Sequence, residues 1–294
     1  MATFVDGLPC GRFFITGHFG PQTCEVYSLT TVHTLASGSS GNALLLSHDG
    51  THLLVDAGIS CRRITTALRE LGLALEDLAA IFITHTHSDH IAGLQTMLKR
   101  PIPSIWATEQ TGRGLCYRLA GVEEHLETIA PCQSVDLNGV SVTAVPTSHD
   151  APGACGFRFD TANGSVGVLT DSGYITDEAA DLLPGVDLAV LEANHDIETL
   201  RSGPYPYYLK QRILGTEGHL SNEASARFAV TLAESGASEI VLAHLSRENN
   251  TPAMARTAVE TALSAAGLSP ALSVAPRDTV STAYVVNRRS VCRK

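Results

Sequence analysis

The chain of 294 residues is long enough for one large α/β domain, and 44% hydrophobic against 17% charged residues exclude intrinsic disorder. A formal net charge of −10 excludes a global basic field, so a polyanionic substrate would have to be attracted locally. Seven cysteines, an odd number without a CxxC pair, exclude a thiolate zinc cage and a disulfide framework. We therefore expect a cytoplasmic protein with neither a signal peptide nor a segment that spans a bilayer.

The predicted elements begin after an irregular arm over residues 1–30 and continue through a single domain over residues 31–294. The first half has predicted strands at Thr31–Leu35, Ala43–Ser47, His52–Val55 and Ala79–Thr84, and a helix over Arg62–Leu73. Later strands are predicted at Val140–Val145, Gly156–Phe159, Val166–Thr170, Leu188–Leu191 and Ile240–His244. A polar, proline-rich stretch over 192–218 precedes helices predicted at Asn222–Glu234 and Pro252–Ala266. Strands mixed with helices throughout predict a layered α/β or α+β domain.

The strongest chemical signal is a histidine cluster directly after the strand predicted at Ala79–Thr84. It reads His85-Thr86-His87-Ser88-Asp89-His90, with four possible metal ligands among six residues. Residues i and i+2 of an extended chain point the same way, so His85 and His87 can bind one metal, and a tighter turn would carry Asp89 and His90 to a second position. Imidazole with carboxylate suits zinc, manganese or iron. A surface loop with chance histidines is the alternative to this predicted site for two divalent metal ions.

Four ligands cannot saturate two metals, and three further polar residues lie where predicted apolar strands end. They are His149, Asp171 and His244. Strand ends are the usual place for a site on an open sheet. Each residue alone would suit a structural role, but together they complement the histidine cluster. We therefore predict that they complete the ligand set.

This order of residues resembles the metallo-β-lactamase fold superfamily over residues 31–285. The resemblance implies an α/β fold, an αββα four-layer sandwich with two metals at one edge. It also implies that one metal is bound by His85, His87 and His149 and the other by Asp89, His90 and His244. In this arrangement Asp171 and a hydroxide bridge the two metals. Asp56 matches the superfamily's structural aspartate and is expected to orient the metal loop through hydrogen bonds instead of binding metal.

A narrower resemblance, to the YycJ/WalJ-like exonuclease branch of this superfamily, is carried by five longer motifs. They are Leu35–Asn42, Glu192–Asp196, Gly203–Tyr207, Gly218–Asn222 and His244–Asn250. The branch implies a nuclease with DNA as substrate and 5′→3′ exonuclease activity.

Such a site suits hydrolysis of a phosphodiester. Two metals about 3.5–4 Å apart can hold the attacking and leaving oxygens of an in-line displacement, and metal binding lowers the pKa of water to about 7. A hydroxide shared by the metals would be the nucleophile, and Asp89 is placed to orient it or take its proton. The leaving oxygen needs a proton, for which His219, just before the predicted N-cap Ser221, is favoured as acid or phosphate donor. His195 is the second candidate, unless it is a cap or loop histidine.

Four residues are predicted to contact the substrate: His195, Asn222, Arg247 and Ser39. Arg247 follows His244 closely and suits a backbone phosphate, whereas Ser39 lies in a turn that either offers backbone N–H groups to an anion or forms only a tight hairpin. Three cations also lie among three tyrosines over 201–212: Arg201, Tyr205, Tyr207, Tyr208, Lys210 and Arg212. This pattern suits base stacking with phosphate contact, or equally a solvated lid with its tyrosines packed inward.

Two alternative functions remain open on the sequence. A metal-dependent thioester, lactone or lactam hydrolase would use the same metal core, and the acidic net charge favours it because nonspecific DNA affinity comes mostly from lysine and arginine. A non-enzymatic binding module on an inactive scaffold is disfavoured because the chain has a residue at every expected ligand position. The branch motifs favour the nuclease.

Overall fold

The computed structural model describes residues 29–286, so residues 1–28 of the arm predicted over 1–30 lie outside the described residues, and Thr30 already belongs to a strand. Two mixed sheets form the centre of this part of the chain, with seven strands in each. The first sheet contains β1 (Thr30–Ala36), β2 (Ala43–His48), β3 (Thr51–Val55), β4 (Leu78–Phe82), β5 (Ile105–Ala107) and β6 (Leu126–Thr128). The second contains β7 (Ser134–Leu137), β8 (Val140–Pro146), β9 (Cys155–Thr161), β10 (Gly164–Leu169), β11 (Leu188–Glu192), β12 (Glu239–Ala243) and β13 (Ala271–Val274). The last strand, β14 (Tyr284–Val286), returns to pair with β1 in the first sheet.

Helices cover the outer face of each sheet. Those after strands of the first sheet are α1 (Cys61–Glu70), α2 (Ser88–Ile91), α3 (Leu94–Met97) and α4 (Glu109–Arg118). Those after strands of the second are α5 (Asp177–Leu182), α6 (Ile197–Ser202), α7 (Tyr207–Leu214), α8 (Asn222–Glu234) and α9 (Pro252–Ala265). Ile64 and Leu68 of α1 pack on the first sheet, and Phe228 of α8 and Val259 of α9 pack on the second. The layers therefore run αββα, which confirms the predicted sandwich. None of the helices over residues 29–286 is long and apolar enough to cross a membrane.

The two sheets pack face to face through a core of aliphatic and aromatic side chains. Phe82 of β4 contacts Phe157 of β9 edge to face, with ring centroids 5.2 Å apart. All three of Phe82, Phe157 and Phe159 have no exposed surface. This apolar layer fixes the two sheets relative to each other and thereby aligns their edges.

The predicted strands and long helices are confirmed, with bounds that differ by at most three residues. The sequence pattern does not predict the short strands β5, β6, β7, β13 and β14 or the helices α2 to α5. It also does not predict the short helices α6 and α7, which lie in the polar stretch over 192–218. Neither shows an apolar stripe: Leu200 is the buried residue of α6, and α7 has none. Sequence periodicity reports burial of a helix face, so helices that bury almost nothing are invisible to it.

Parallel pairing brings several strand ends to one edge of the molecule. In the second sheet β10 pairs parallel with β11, and β11 with β12. In the first sheet β3 and β4 are also parallel. Their carboxyl ends carry Asp56, the histidine cluster, Asp171, Glu192 and His244. Chain segments more than 180 residues apart in sequence therefore meet at this edge.

Replacing Phe157 with alanine tests the inter-sheet core. We expect the free energy of unfolding to fall by about 3–5 kcal/mol, because the change leaves a cavity between the sheets. Urea denaturation of both variants measures this, with Tyr117→Ala as the control. Tyr117 is 93% exposed on α4, and its truncation should change stability by less than about 0.5 kcal/mol. Similar small losses in both variants would contradict the assignment of the core.

Candidate metal centre

The histidine cluster turns sharply at the start of α2. His87 precedes this helix in an extended conformation (φ −66°, ψ 151°), and Asp89 and His90 lie in its first turn. The rings of His85 and His87 stay close, with centroids 4.7 Å apart. The backbone changes from extended to helical within the cluster, but the His90 ring still lies 4.1 Å from that of His85, so the two pairs of side chains remain adjacent.

Three polar residues at strand ends adopt a left-handed backbone. The φ angles are 60° at Asp56, 59° at Asp171 and 54° at His244. This region is uncommon for residues other than glycine and costs free energy that the surrounding structure must offset. Such strain concentrates at functional sites, where it aims a side chain that regular strand geometry would point elsewhere.

The side chains at this edge form overlapping groups whose possible ligand atoms lie within 4.8 Å of one another. One group joins the cluster to the end of β8, and a second joins it to the end of β12: His85, His87 and His149; and Asp89, His90 and His244. Asp171 lies between them, since it groups with His85 and His90 and also with His244. The structure therefore brings together all seven residues predicted as ligands.

Most of these histidines use one ring nitrogen for a protein hydrogen bond and turn the other inward. Nδ1 of His90 donates to Asp56 Oδ2 at 2.7 Å, and Nδ1 of His149 donates to the Gly218 carbonyl at 3.1 Å. Nδ1 of His244 donates to Glu192 Oε1 at 2.9 Å. Asp56 also accepts from the Thr84 backbone N–H at 2.9 Å, which ties it to the metal loop. A bond of this kind to the second nitrogen fixes the ring and tautomer of a histidine that binds metal.

Three inward-facing atoms are buried and have no hydrogen-bond partner among the described residues. They are His85 Nε2, His244 Nε2 and Asp171 Oδ2. Buried polar atoms are almost always satisfied, so three such atoms converging on one place indicate a missing partner. An imidazole nitrogen and a carboxylate oxygen are both ligands of divalent transition metals. The donor set therefore fits divalent cations.

The charges at this edge are closely coupled. Burial alone would raise the pKa of the Asp89 carboxyl, but the imidazoles of His244 and His90, whose Nε2 atoms each lie 3.5 Å from Asp89 Oδ2, hold it well below its usual range. Burial alone would lower the pKa of His244, but Asp171, Asp89 and Glu192 raise it to about 10. Protons on these imidazoles thus balance the buried carboxylates in the protein without metal. A divalent cation would supply the same positive charge in their place.

The central carboxylate of the site, Glu192, was assigned no role from the sequence. It ends β11 with no exposed surface, and its Oε1 accepts from Nδ1 of His219 and Nδ1 of His244, each at 2.9 Å. Its Oε2 accepts from the backbone N–H groups of Ser172 and Leu220, both at 3.1 Å. These bonds hold the pKa of Glu192 well below its usual range, against the effect of burial. A carboxylate at the end of the apolar strand Leu188–Leu191 is the sequence signal for it.

A cleft of about 230 Å³ opens over this group. Its floor includes Asp89, Asp171 and His244, and one wall is formed by Tyr205, Arg212 and neighbouring residues of α7. The side chain of His219 also lines it, with 20% of its surface exposed. Since Nδ1 of His219 is bonded to Glu192, Nε2 is the ring nitrogen left for a substrate.

Of the four residues predicted to contact substrate, Ser39 lines the cleft. His195 and Asn222 are 1% and 2% exposed and do not line the cleft. The Asn222 side chain pairs with the amide of Asn250 at 3.0 Å, so it is a structural residue that joins α8 to the loop before α9. Arg247 is exposed and also lies outside the cleft, 3.8 Å from Asp278.

The cations and tyrosines over 201–212 divide into those that line the cleft and those that lie outside it. Tyr205 and Arg212 face the cleft, and Arg212 Nε donates to Asp150 Oδ2 at 2.5 Å. Tyr207 and Tyr208 are 77% and 74% exposed, so these two are not packed inward. The remaining cations have local partners outside the cleft: Arg201 pairs with Glu198, and Lys210 donates to the Arg201 carbonyl.

Comparison with known proteins agrees with this geometry. The β-lactamase superfamily domain model matches residues 51–245. The chain is 37% identical to exodeoxyribonuclease WalJ of Streptococcus pneumoniae over 239 residues, which cover 80% of this chain and 88% of that protein. It is 34% identical to exodeoxyribonuclease YycJ of Bacillus anthracis over 234 residues, 79% of this chain and 89% of that protein.

Among solved structures, the metallo-β-lactamase fold protein YhfI of Bacillus subtilis superposes with a TM-score of 0.65 at 21% identity, covering 86% of this chain and 99% of that one. This likeness concerns the fold alone. The family-model match over more than half of the chain, together with the two sequence relatives, shows that the chain belongs to the metallo-β-lactamase superfamily, in the branch that includes WalJ and YycJ.

Proposed function

We propose that the protein is a metal-dependent phosphodiesterase that degrades DNA as an exonuclease. The observation that carries this proposal is the convergence of seven histidine and aspartate side chains beneath one cleft, three of whose buried atoms have no hydrogen-bond partner among the described residues. The relatives named exodeoxyribonucleases support DNA as the substrate. The 5′→3′ direction is part of the proposal.

Two divalent ions, zinc, manganese or iron, would be held by the ligand sets described above, with Asp171 between them. Bound there, such ions would polarise the phosphoryl oxygens and activate a water molecule. The chain's own residues prepare this site by fixing the ligands: Asp56 orients His90, and Glu192 orients His244. Asp89 is only partly buried and faces the cleft, so its carboxylate can orient an attacking water or accept its proton.

His219 is placed to protonate the leaving oxygen. Its ring lies between those of His149 and His244, with centroids 5.1 Å and 5.3 Å away. Glu192 holds its Nδ1, so a proton carried on Nε2 points toward the cleft. A protonated imidazole in this position can donate that proton as the phosphodiester bond breaks.

Two residues of the cleft wall suit the substrate around the scissile bond. The Arg212 guanidinium, tied to Asp150 by one N–H, keeps further donors for a phosphate oxygen. Tyr205 offers an aromatic face for stacking with a neighbouring base. We further propose the cytosol as compartment, since four cysteines within residues 29–286 are free thiols.

The function is tested with DNA labelled at the 5′ or the 3′ end. With added Mn²⁺ or Zn²⁺ we expect stepwise release of nucleotides from the 5′ end and hydrolysis of bis(p-nitrophenyl) phosphate. Asp171→Ala should lower both rates by more than about 100-fold, because loss of a shared ligand exceeds loss of a residue that only orients one. Wild-type protein that hydrolyses a chromogenic β-lactam or thioester but no phosphodiester would contradict the proposal and favour the alternative hydrolase.

Metal binding is tested without activity, through thermal unfolding. Metal that binds only the folded state stabilises it, by about 2.7 kcal/mol at 100 times Kd. We expect the melting temperature of EDTA-treated wild type to rise with added Zn²⁺ or Mn²⁺. His85→Ala, which removes a ligand, should reduce this rise, and Glu192→Gln should weaken metal affinity by about 10–100-fold. The control His125→Ala, outside the site, should respond like wild type; equal responses of all variants would place the metal elsewhere.

The role of His219 is tested by changing the leaving group. Because p-nitrophenolate leaves without protonation, His219→Ala should retain most activity on bis(p-nitrophenyl) phosphate and lose about 10²–10⁴-fold on DNA. Initial rates on both substrates, normalised to wild type, give the comparison. Equal losses on both substrates would show that His219 supports the metal site and does not act as a proton donor.

A further inference from the structure

A second concavity of about 560 Å³ lies beside the cleft, at the beginning of α1. We name it the arginine groove. Arg62 and Arg63 line it from α1, and Asp278 lines it from the loop before β14. Arg247 borders it through its contact with Asp278, and Arg277 is the neighbour of Asp278 in the chain. The guanidiniums of Arg62 and Arg63 thus line this groove together with the carboxylates of Asp278 and Glu70, and that of Arg247 lies 3.8 Å from Asp278, in a chain whose net charge is −10.

Short segments that contribute to the cleft lie close to residues of the arginine groove: a Cβ on residue 41 would lie 2.6 Å from Cγ2 of Ile59, which lines the groove. Ser39 and Ser246 line the cleft on the side opposite α7. Arg247 follows Ser246 directly, and Gly38 precedes Ser39. Gly38 approaches Arg277 so closely that a Cβ on residue 38 would lie 2.6 Å from Arg277 Nη1. The segments 38–39 and 246–247 therefore link residues that line the cleft to Arg277 and Arg247, and the proposed path of a bound strand runs over them.

The arginines of the groove are open to an incoming anion. The side chains of Arg63 and Arg247 are 41% and 64% exposed, and both reach the same carboxylate, that of Asp278. The two ion pairs are 3.4 Å and 3.8 Å long, and exposed pairs of this kind contribute little to stability. Nη1 of Arg277 is buried and has no hydrogen-bond partner among the described residues. Because Arg63 and Arg247 share one carboxylate, each guanidinium keeps N–H donors that can bind phosphate oxygens.

We propose that the arginine groove binds the backbone phosphates of the single DNA strand that extends from the scissile phosphate past Ser39 and Ser246. This inference rests on the proposed function and adds to it a path for the substrate. The charge explains the choice of occupant, because the acidic chain attracts a polyanion only where arginines are concentrated. A single strand fits because the guanidiniums line a groove, which one phosphodiester chain can enter.

Binding to metal-free protein tests the groove independently of catalysis. Fluorescence anisotropy of a labelled single-stranded 12-mer in EDTA, measured over a range of salt concentrations, gives the affinity and its salt dependence. Each phosphate contact with a single strand contributes about 0.7 to the slope of log K against log salt. For the double variant Arg62→Ala/Arg63→Ala we therefore expect a slope shallower by about 1.4 and an affinity at low salt lowered at least about tenfold.

The matched control is Arg113→Ala/Arg256→Ala, which removes the same charge from two exposed arginines that pair with glutamates on their own helices. It should bind like wild type. The proposal is overturned if the groove variant and the control have the same slope and affinity. Tighter binding of a double-stranded 12-mer than of the single strand would also overturn it.

Steady-state kinetics with metal distinguishes the groove from the metal centre. The groove variant should raise KM for the 12-mer severalfold, while its kcat/KM for bis(p-nitrophenyl) phosphate equals that of the control. Equal losses of kcat/KM on the 12-mer and on a dinucleotide would place these arginines at the scissile phosphate. This result would overturn the proposal that the groove binds the rest of the strand. If the wild-type protein cleaves no phosphodiester, the proposed function is refuted instead. The anisotropy measurement would still decide whether the groove binds single-stranded DNA.

Discussion

The candidate site depends on one buried carboxylate, that of Glu192. Its two oxygens bind His219, His244 and the backbone N–H groups of Ser172 and Leu220, so four segments of the second sheet are fixed to one another at a single point. A charge without solvent exposure is stable only when such partners surround it. The same bonds aim one imidazole at the proposed metals and the other at the cleft. Metal binding and proton transfer are thus coupled through a residue that contacts neither metal nor substrate in the proposed arrangement.

The remainder of the site depends on residues that leave the regular strand conformation so that their side chains can converge. Asp56, Asp171 and His244 each leave a strand with positive φ, which turns their side chains toward a common centre. The inter-sheet core contributes the rigidity that holds this strain. Buried atoms of His85, His244 and Asp171 then lack partners among the described residues, and divalent cations are the chemical species that satisfies all of them. The fold therefore holds buried nitrogen and carboxylate atoms in an arrangement that a bound metal ion would stabilise.

Much of the fold could be predicted because its layers obey simple periodicities. Apolar runs such as Leu188–Leu191 are buried on both faces, and α8 has the apolar spacing and Ser221 cap of a packed helix. The helices α6 and α7 were missed because they bury almost no side chains. Of the two, α7 forms the cleft wall that carries Arg212. Local pattern therefore identified what packs into the core and failed for the elements that shape the cleft.

By itself, the sequence predicted the ligand types and their placement at strand ends, because His85 and Asp171 directly follow the predicted strands Ala79–Thr84 and Val166–Thr170. Only the tertiary structure decided which polar residues share the site. It showed that Glu192, which in the sequence resembles an ordinary charged residue at a strand end, belongs to the site. It also showed that His195 and Asn222, which lie in motifs of the branch, are buried away from the cleft. The reason is physical: spacing along the chain reports backbone periodicity, whereas the direction and burial of a side chain depend on parallel strand pairing and on neighbours that are distant in sequence.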